Sequence, residues 1–312
     1  GQVYLEHVEN SYRLTLDSLR SGAVDHLWLR GGEEFEVLRQ SSRWKDINVP
    51  DPLYRQYAEL VIAAGGAVGV IDETMTRRSV TRIAGLPRNI YCIFDVRLNR
   101  LSAIDDSLLQ PLSKLIGLRS VFLERVPGLR NEQLGFLQGC ESLDVIGLGG
   151  NSQINAGGIR SFVGLPHLNQ LYLGSTDFET SMAEAVSALQ SLELLDINTS
   201  MITDEALPHI AKITSLEDLC LTNTAVTDHG IEYLRGMGLQ TLRLNETDVT
   251  DSCIESLKDL KSLRVLDLAD CRITNEGVTR LAEIPSLQQI NLERSEEHTS
   301  ELQSHSDLVC RL

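Results

Sequence analysis

Proline and aromatic residues are scarce in this chain (8 prolines in 312 residues, 5% aromatic), and long apolar runs are missing. The longest weakly polar stretch, Leu60–Ile71, holds twelve residues, three of them glycine. It is too short to cross a bilayer, so no membrane span is expected within the chain. No C-x-x-C pair occurs among the six cysteines, which excludes the common zinc-ribbon and dithiol spacings. Five of them (Cys92, Cys140, Cys220, Cys253, Cys271) suit small apolar positions, and a reducing, cytoplasmic home is expected. The seven histidines are scattered, with only His167, His209 and His229 in the periodic region and each at a different place in the period, so no metal is expected. No Gly-rich loop leads into G-K-[ST]. Cations are also outnumbered: the formal charge is −16, which repels phosphate backbones and makes nucleic acid a poor partner.

What the chain has instead is a period. The pattern L-x-x-L-x-L starts at Leu118, Leu143, Leu168, Leu192, Leu216, Leu239, Leu263 and Leu287, in steps of 25, 25, 24, 24, 23, 24 and 24 residues. A degenerate copy begins at Ile93 (IFDVRL). A repeat of this length marks a solenoid, whose units bury their apolar faces only against their neighbours. In Leu216–Leu221, Leu219 and Leu221 point inward with period two while Asp218 and Cys220 point out, so each unit opens on a short strand. Farther on in the unit an apolar residue recurs (Phe178, Ile202, Val226, Val249, Ile273). A segment of helical spacing follows, such as Ile254, Leu257 and Leu260.

Two polar ladders accompany the period. ITDEAL (202–207), VTDHGI (226–231), VTDSCI (249–254) and ITNEGV (273–278) place Thr and then Asp or Asn before each helical run. This is an N-cap signature worth about 1 kcal/mol per cap, with Asp204, Asp228 and Asp251 at the positive end of the helix dipole. The units starting at 93, 118 and 168 lack it, with Asn131 as a substitute in one. Thr176, Ser200, Thr224, Thr247 and Cys271, with Asn151, form the second ladder, suited to satisfying loop backbone groups. The run L-x-x-L-x-L-x-x-T/C-x-I-T-D-x-G-L/I-x-x-L resembles leucine-rich repeat proteins. It is similar to the variant of bacterial, planctomycete-type members and of F-box leucine-rich adaptors, over about Ile93–Glu293. The resemblance implies an α/β solenoid (horseshoe) with a concave parallel β-sheet and short convex helices. It also implies protein–protein recognition on the concave face, with no catalysis and no cofactor. The alternatives are a substrate receptor of an F-box-type ubiquitin ligase, or the regulatory half of an enzyme lying upstream.

Outside the repeats, Gly1–Pro50 carries both tryptophans and no register, with a truncated start expected. Tyr54–Ala64, Gly65-Gly66 and the strand-like AVGVI (67–71) read as an N-terminal cap, within 51–92. RSEEHTSELQSHSDLVCRL (294–312) leaves the repeat abruptly. Its first twelve residues resemble the translated read-through of a sequencing adapter, and no function is expected of it.

Strand alternation names the surface that can bind. Phe122, Val145, Gly147, Tyr172, Leu194, Asp196, Asp218, Arg243 and Asp267 are the expected partner contacts: an apolar, aromatic patch beside an acidic half. The expected partner is a protein or peptide, basic, with an apolar anchor near Gly147. Gly147-Leu-Gly149-Gly150 superficially suggests a dinucleotide loop, but Ser152 stands where the third glycine belongs. Asn198-Thr-Ser200 and Asn245-Glu-Thr247 match glycosylation sequons, a weak signal produced by the repeat itself.

Overall fold

The computed structural model describes residues 52–72, 76–115, 117–295 and 309–311. The expectations for residues 1–50, and for most of the segment after Ser295, lie outside them. The chain divides into two compact units. One comprises the described residues up to Gly128 with Gln133–Ile146 and Gly164–His167; the other comprises Leu129–Glu132, Gly147–Val163 and the described residues from Leu168 onward.

The first unit opens on helix α1 (Pro52–Ala63), which ends where Gly65, at φ 95°, takes the left-handed conformation. Strands β1 (Ala67–Asp72), β2 (Arg77–Val80) and β3 (Ile90–Arg97) follow. β1 pairs antiparallel with both β2 and β3, and β3 pairs parallel with β4 (Ser120–Phe122). The sequence suggests β1; it gives no sign of β2, a short strand whose Arg77, Arg78 and Ser79 are exposed. Tyr57, Ala58 and Val61 of α1 are buried, and the Tyr57 hydroxyl donates to the Leu108 carbonyl at 2.7 Å. That bond satisfies the one polar atom of a ring otherwise sunk in the core.

The second unit is an open run of parallel strands: β6 (Gln170–Tyr172), β7 (Leu194–Asp196), β8 (Asp218–Cys220), β9 (Thr241–Arg243), β10 (Val265–Asp267) and β11 (Gln289–Asn291). Each pairs with the next in unbroken register, so Leu171, Leu195, Leu219, Leu242, Leu266 and Ile290 form one inward row. All six are buried, four of them with no solvent exposure along with Leu266 at 1% and Ile290 at 4%. Residues 309–311, expected to lie outside the fold, pair antiparallel with β11 as strand β12 (Val309–Arg311).

Short helices alternate with the strands. α2 (Asp106–Leu109), α3 (Asn131–Leu134), α4 (Ala156–Arg160) and α5 (Thr180–Val186) are followed by α6 (Leu207–Ile210), α7 (Asp228–Glu232), α8 (Ile254–Leu257) and α9 (Asn275–Leu281). Several are led in or extended by a 3₁₀ turn. The Thr ladder behaves as expected. The hydroxyls of Thr176, Ser200, Thr224 and Thr247 each donate to the carbonyl three residues earlier at 2.6–2.7 Å, and the Asn151 amide does the same. Ser295 adds one more rung, to Leu292, at 2.7 Å. Cys271 departs: its thiol reaches Leu244, one coil back.

The Thr-Asp signature does more than cap. Thr227 and Thr250 accept from the backbone N–H two residues on, and Thr274 from Gly277, as N-caps do. The aspartates instead reach the following coil. Asp204 accepts from the Thr227 N–H (2.8 Å) and hydroxyl (2.6 Å); Asp228 accepts likewise from Thr250, and Asp251 from Thr274. Each carboxylate thereby clasps the cap of the next helix. Asn131 substitutes in this role, accepting from the Asn155 N–H at 3.1 Å. Asp106 does so less directly, through the Gln133 amide.

The clasp also explains the glycine of T-D-x-G. A Cβ on Gly230 would fall inside van der Waals contact of Asp204 Oδ1, and one on Gly277 inside contact of Asp251 Oδ1.

A further ladder has no trace in the sequence. Seven residues after each pattern start the backbone turns left-handed. Arg100, Arg125, Ser175, Thr199, Asn223, Glu246, Asp270 and Arg294 have φ of 51–58°, and Gly150 has 74°. This turn carries the chain out of the strand while its N–H still donates to the next coil, as Thr199 does to Thr222 at 2.8 Å and Asn223 to Asn245 at 2.9 Å. For a residue with a side chain the conformation costs roughly 1–2 kcal/mol, offset here by a regained hydrogen bond.

Candidate interaction face

The outward side of the strands is built by alternation. In β6, β7, β9 and β10 the middle residue is buried and both flanking residues are half-buried. Register in the second unit then aligns two outward rows. Tyr172, Asp196, Cys220, Arg243, Asp267 and Asn291 form one; Gln170, Leu194, Asp218, Thr241, Val265 and Gln289 form the other. Neighbours in a row stand about 4.8 Å apart, the strand spacing. Tyr172, Leu194, Asp196, Asp218, Arg243 and Asp267 are therefore brought onto one face. Phe122 and Val145 belong to the first unit, Phe122 at the end of β4 and Val145 at the start of β5 (Val145–Gly147).

Electrostatics distinguish the acids. Asp218 is engaged: it accepts from Arg243 Nη1 at 2.7 Å. Asp196 accepts from the N–H of Asn198 (3.0 Å) and from its side-chain amide (2.7 Å), and Asp267 accepts from the Ala269 N–H (3.1 Å). Among the described residues neither Asp196 nor Asp267 forms an ion pair with a basic side chain. Two carboxylates held by local donors thus flank Cys220 and Arg243, with charge left to offer. Tyr172 bonds through its hydroxyl to Gln170 (3.1 Å), which fixes the ring at the rim. Phe122 carries the guanidinium of Arg97 over its ring, 5.4 Å from the centroid, a cation–π contact that sequence reading did not foresee.

Strand alternation also names a further outward column that holds Gly174, Asn198, Thr222 and Asn245. Asn198 lies against Gly174, where a Cβ would come within 2.8 Å of its amide, and Thr222 donates to Asn245 at 2.6 Å. Gly174 stands beside Asn198 in that column of neighbouring units, a small residue facing a bulkier polar one. The same contacts occupy the two sequons. Asn198 is tied to Asp196, and the Ser200 and Thr247 hydroxyls are buried on backbone carbonyls.

The glycine-rich run has a structural account too. Gly147 closes β5, Gly150 fills the left-handed position, and a Cβ on Gly149 would stand 3.0 Å from the Gly174 carbonyl. Backbone of the neighbouring coil, not a phosphate, comes close here.

Burial pushes the Cys140 thiol up to about 12 and also raises those of Cys220, Cys253 and Cys271. Cys140, Cys220, Cys253 and Cys271 are buried free thiols. Thiols raised in this way are poor nucleophiles. Among the described residues no group of His, Cys, Asp or Glu side chains is arranged to hold a metal, and no helix is long and apolar enough to cross a membrane.

A family model for the leucine-rich repeat region matches residues 117–308, more than half of the chain. The chain belongs to the leucine-rich repeat family. No curated protein sequence matches it. Among solved structures, the leucine-rich repeat chain is similar to an internalin from Listeria monocytogenes (20% identity, 64% of this chain and 61% of that one, TM-score 0.46). It is also similar to a TLR13–ssRNA13 complex (22%, 64% and 29%, 0.48) and to a leucine-rich repeat protein of Leptospira interrogans (18%, 64% and 48%, 0.43). The chain thus spans about six tenths of the length of that internalin structure.

Proposed function

We propose that this leucine-rich repeat protein is a recognition module that binds a basic protein segment across the outward face of β6–β10. Leucine-rich repeat regions generally serve protein–protein interaction, and the finer reading rests on one observation. Asp196 and Asp267 sit half-buried in the same outward row, without a cation among the described residues, on either side of the Asp218–Arg243 pair. A partner lysine or arginine placed at either carboxylate completes a charge-assisted hydrogen bond. Tyr172 and Leu194 supply the apolar and aromatic contact that anchors such interfaces. An acidic face, in a chain of net charge −16, favours this partner over a polyphosphate.

The test is selection of a random peptide library against the full chain, followed by affinity measurement on variants. Selected peptides carry Lys or Arg beside an aliphatic or aromatic residue. Asp196→Lys with Asp267→Lys weakens their binding by at least about tenfold, equivalent to ~1.4 kcal/mol, and Tyr172→Ala does the same. Peptides that bind these variants and the parent equally would place the site elsewhere.

A further inference from the structure

The carboxylate clasp runs from coil to coil with one interruption. Asp204, Asp228 and Asp251 each hold the threonine that caps the following helix, and Asn131 reaches the cap residue Asn155. In the next two units the equivalent positions are Ala156 and Thr180, and neither reaches the next cap. The unit from Leu168 to Ser191 therefore lacks the clasp on both sides. Its helix α5 starts from Glu179, whose side chain makes no cap bond. Thr203, the cap of the next unit, likewise makes none.

A cleft of about 450 Å³ opens at this interruption. Its floor is Phe178 and Ile202, both buried. Asp177, Glu179, Thr180 and Thr203 also line it, as does Met201, which is 85% exposed. Met201 is the most exposed large apolar side chain of the described residues. Neither Asp177 nor Glu179 forms an ion pair among the described residues. A lining with an apolar floor, an exposed thioether, two threonines and two unpaired acids complements one kind of side chain: an aliphatic stem ending in a cation.

We propose that this cleft is a second docking site, separate from the strand face, that takes an arginine or lysine side chain of a protein partner. Charge complementarity carries the choice of occupant. The missing clasp accounts for the space: where an aspartate reaches the next cap, its carboxylate fills the position that Thr180 leaves short. The proposal does not depend on what the strand face binds.

The experiment labels the four methionine methyls with ¹³C and titrates the full chain with acetylated, amidated pentapeptides Ala-Leu-X-Leu-Ala, with X arginine, lysine, citrulline or glutamate. Met201→Leu assigns the signal. Arginine and lysine peptides are expected to shift the Met201 methyl with affinity on the order of millimolar, and citrulline and glutamate peptides are not. Asp177→Asn with Glu179→Gln, both exposed positions, weakens the response at least about tenfold, while Asp196→Asn on the strand face leaves it unchanged. Thr180→Asp is the sharper variant. It adds an acid, which simple charge attraction would reward, yet it supplies the missing clasp to Thr203 and closes the cleft, so binding is lost. Equal shifts from citrulline and arginine peptides, no shift from any cationic peptide, or tighter binding to Thr180→Asp would each overturn the proposal.

Discussion

Leu219→Ala lowers the unfolding free energy by about 2–5 kcal/mol, the range for an aliphatic truncation in a core that cannot collapse around the cavity. Leu219 has no solvent exposure, and its register partners Leu195 and Leu242 have none either. The three side chains stack in one row, so a methyl at the middle position leaves a gap walled by two neighbouring units. Strand backbone cannot move in to fill it, because β8 is hydrogen-bonded on both sides. In a solenoid each unit is stable only through its neighbours, so the loss also weakens both adjoining interfaces. Urea unfolding followed by circular dichroism reads the effect as a shift in midpoint. Met201→Ala, at a position 85% exposed, is the control and stays within about 0.5 kcal/mol of the parent.

Gly230→Ala is the second large effect, at about 1–3 kcal/mol, the cost of forcing extra volume into a packed site. The added methyl meets Asp204 Oδ1, an atom already held by the Thr227 N–H at 2.8 Å. The carboxylate either yields its clasp or pushes α7 away. Removing it separates these outcomes: in an Asp204→Ala background the same Gly230→Ala change costs less, because the opposing oxygen is gone. The double-mutant cycle therefore shows a coupling of at least about 0.5 kcal/mol, the size seen for residues in direct contact. Additive effects would mean that the glycine is retained for reasons of its own backbone. The next unit carries Cys253 at the equivalent position, beneath Asp228, so the space demanded by a Cβ can be found when the whole coil is built around it.

The contrast between these two sites shows what the amino-acid sequence makes legible. Leu219 was readable because hydrophobic period is a local signal repeated eight times, and each copy corrects the others. The inward row, the outward rows and the polar ladder from Asn151 to Thr247 follow from the same counting.

The role of Asp204 was only half readable. Its position before a helix suggests the helix dipole, and nothing local says that its oxygens are spent on Thr227, 23 residues away. The glycines at Gly230 and Gly277, at the same point of two coils, were the available hint, since a glycine kept at one point of the period implies something close above it. The left-handed turn was not readable at all. Arginine, serine, threonine, asparagine, glutamate and aspartate all occupy it, because a hydrogen bond to the next coil sets the conformation and side-chain preference does not.

On the outward face, alternation placed Tyr172, Asp196, Asp218, Arg243 and Asp267 together but could not show which acid was taken. Distances decided that Asp218 is paired and Asp196 is held only by Asn198. Strand β2 escaped for the opposite reason. It is a short edge strand, exposed at three of its four residues, and edge strands carry little apolar pattern.

Native-state hydrogen exchange, resolved by residue, tests the stacking of the coils most directly. If the account holds, the amides of Leu173, Ile197, Leu221, Leu244 and Leu268 are protected. So are the left-handed Ser175, Thr199, Asn223, Glu246 and Asp270, since all ten donate to the following coil. Protection would then recur with the same period as the leucines. Rapid exchange at the left-handed positions, or protected amides that follow no such period, would contradict it.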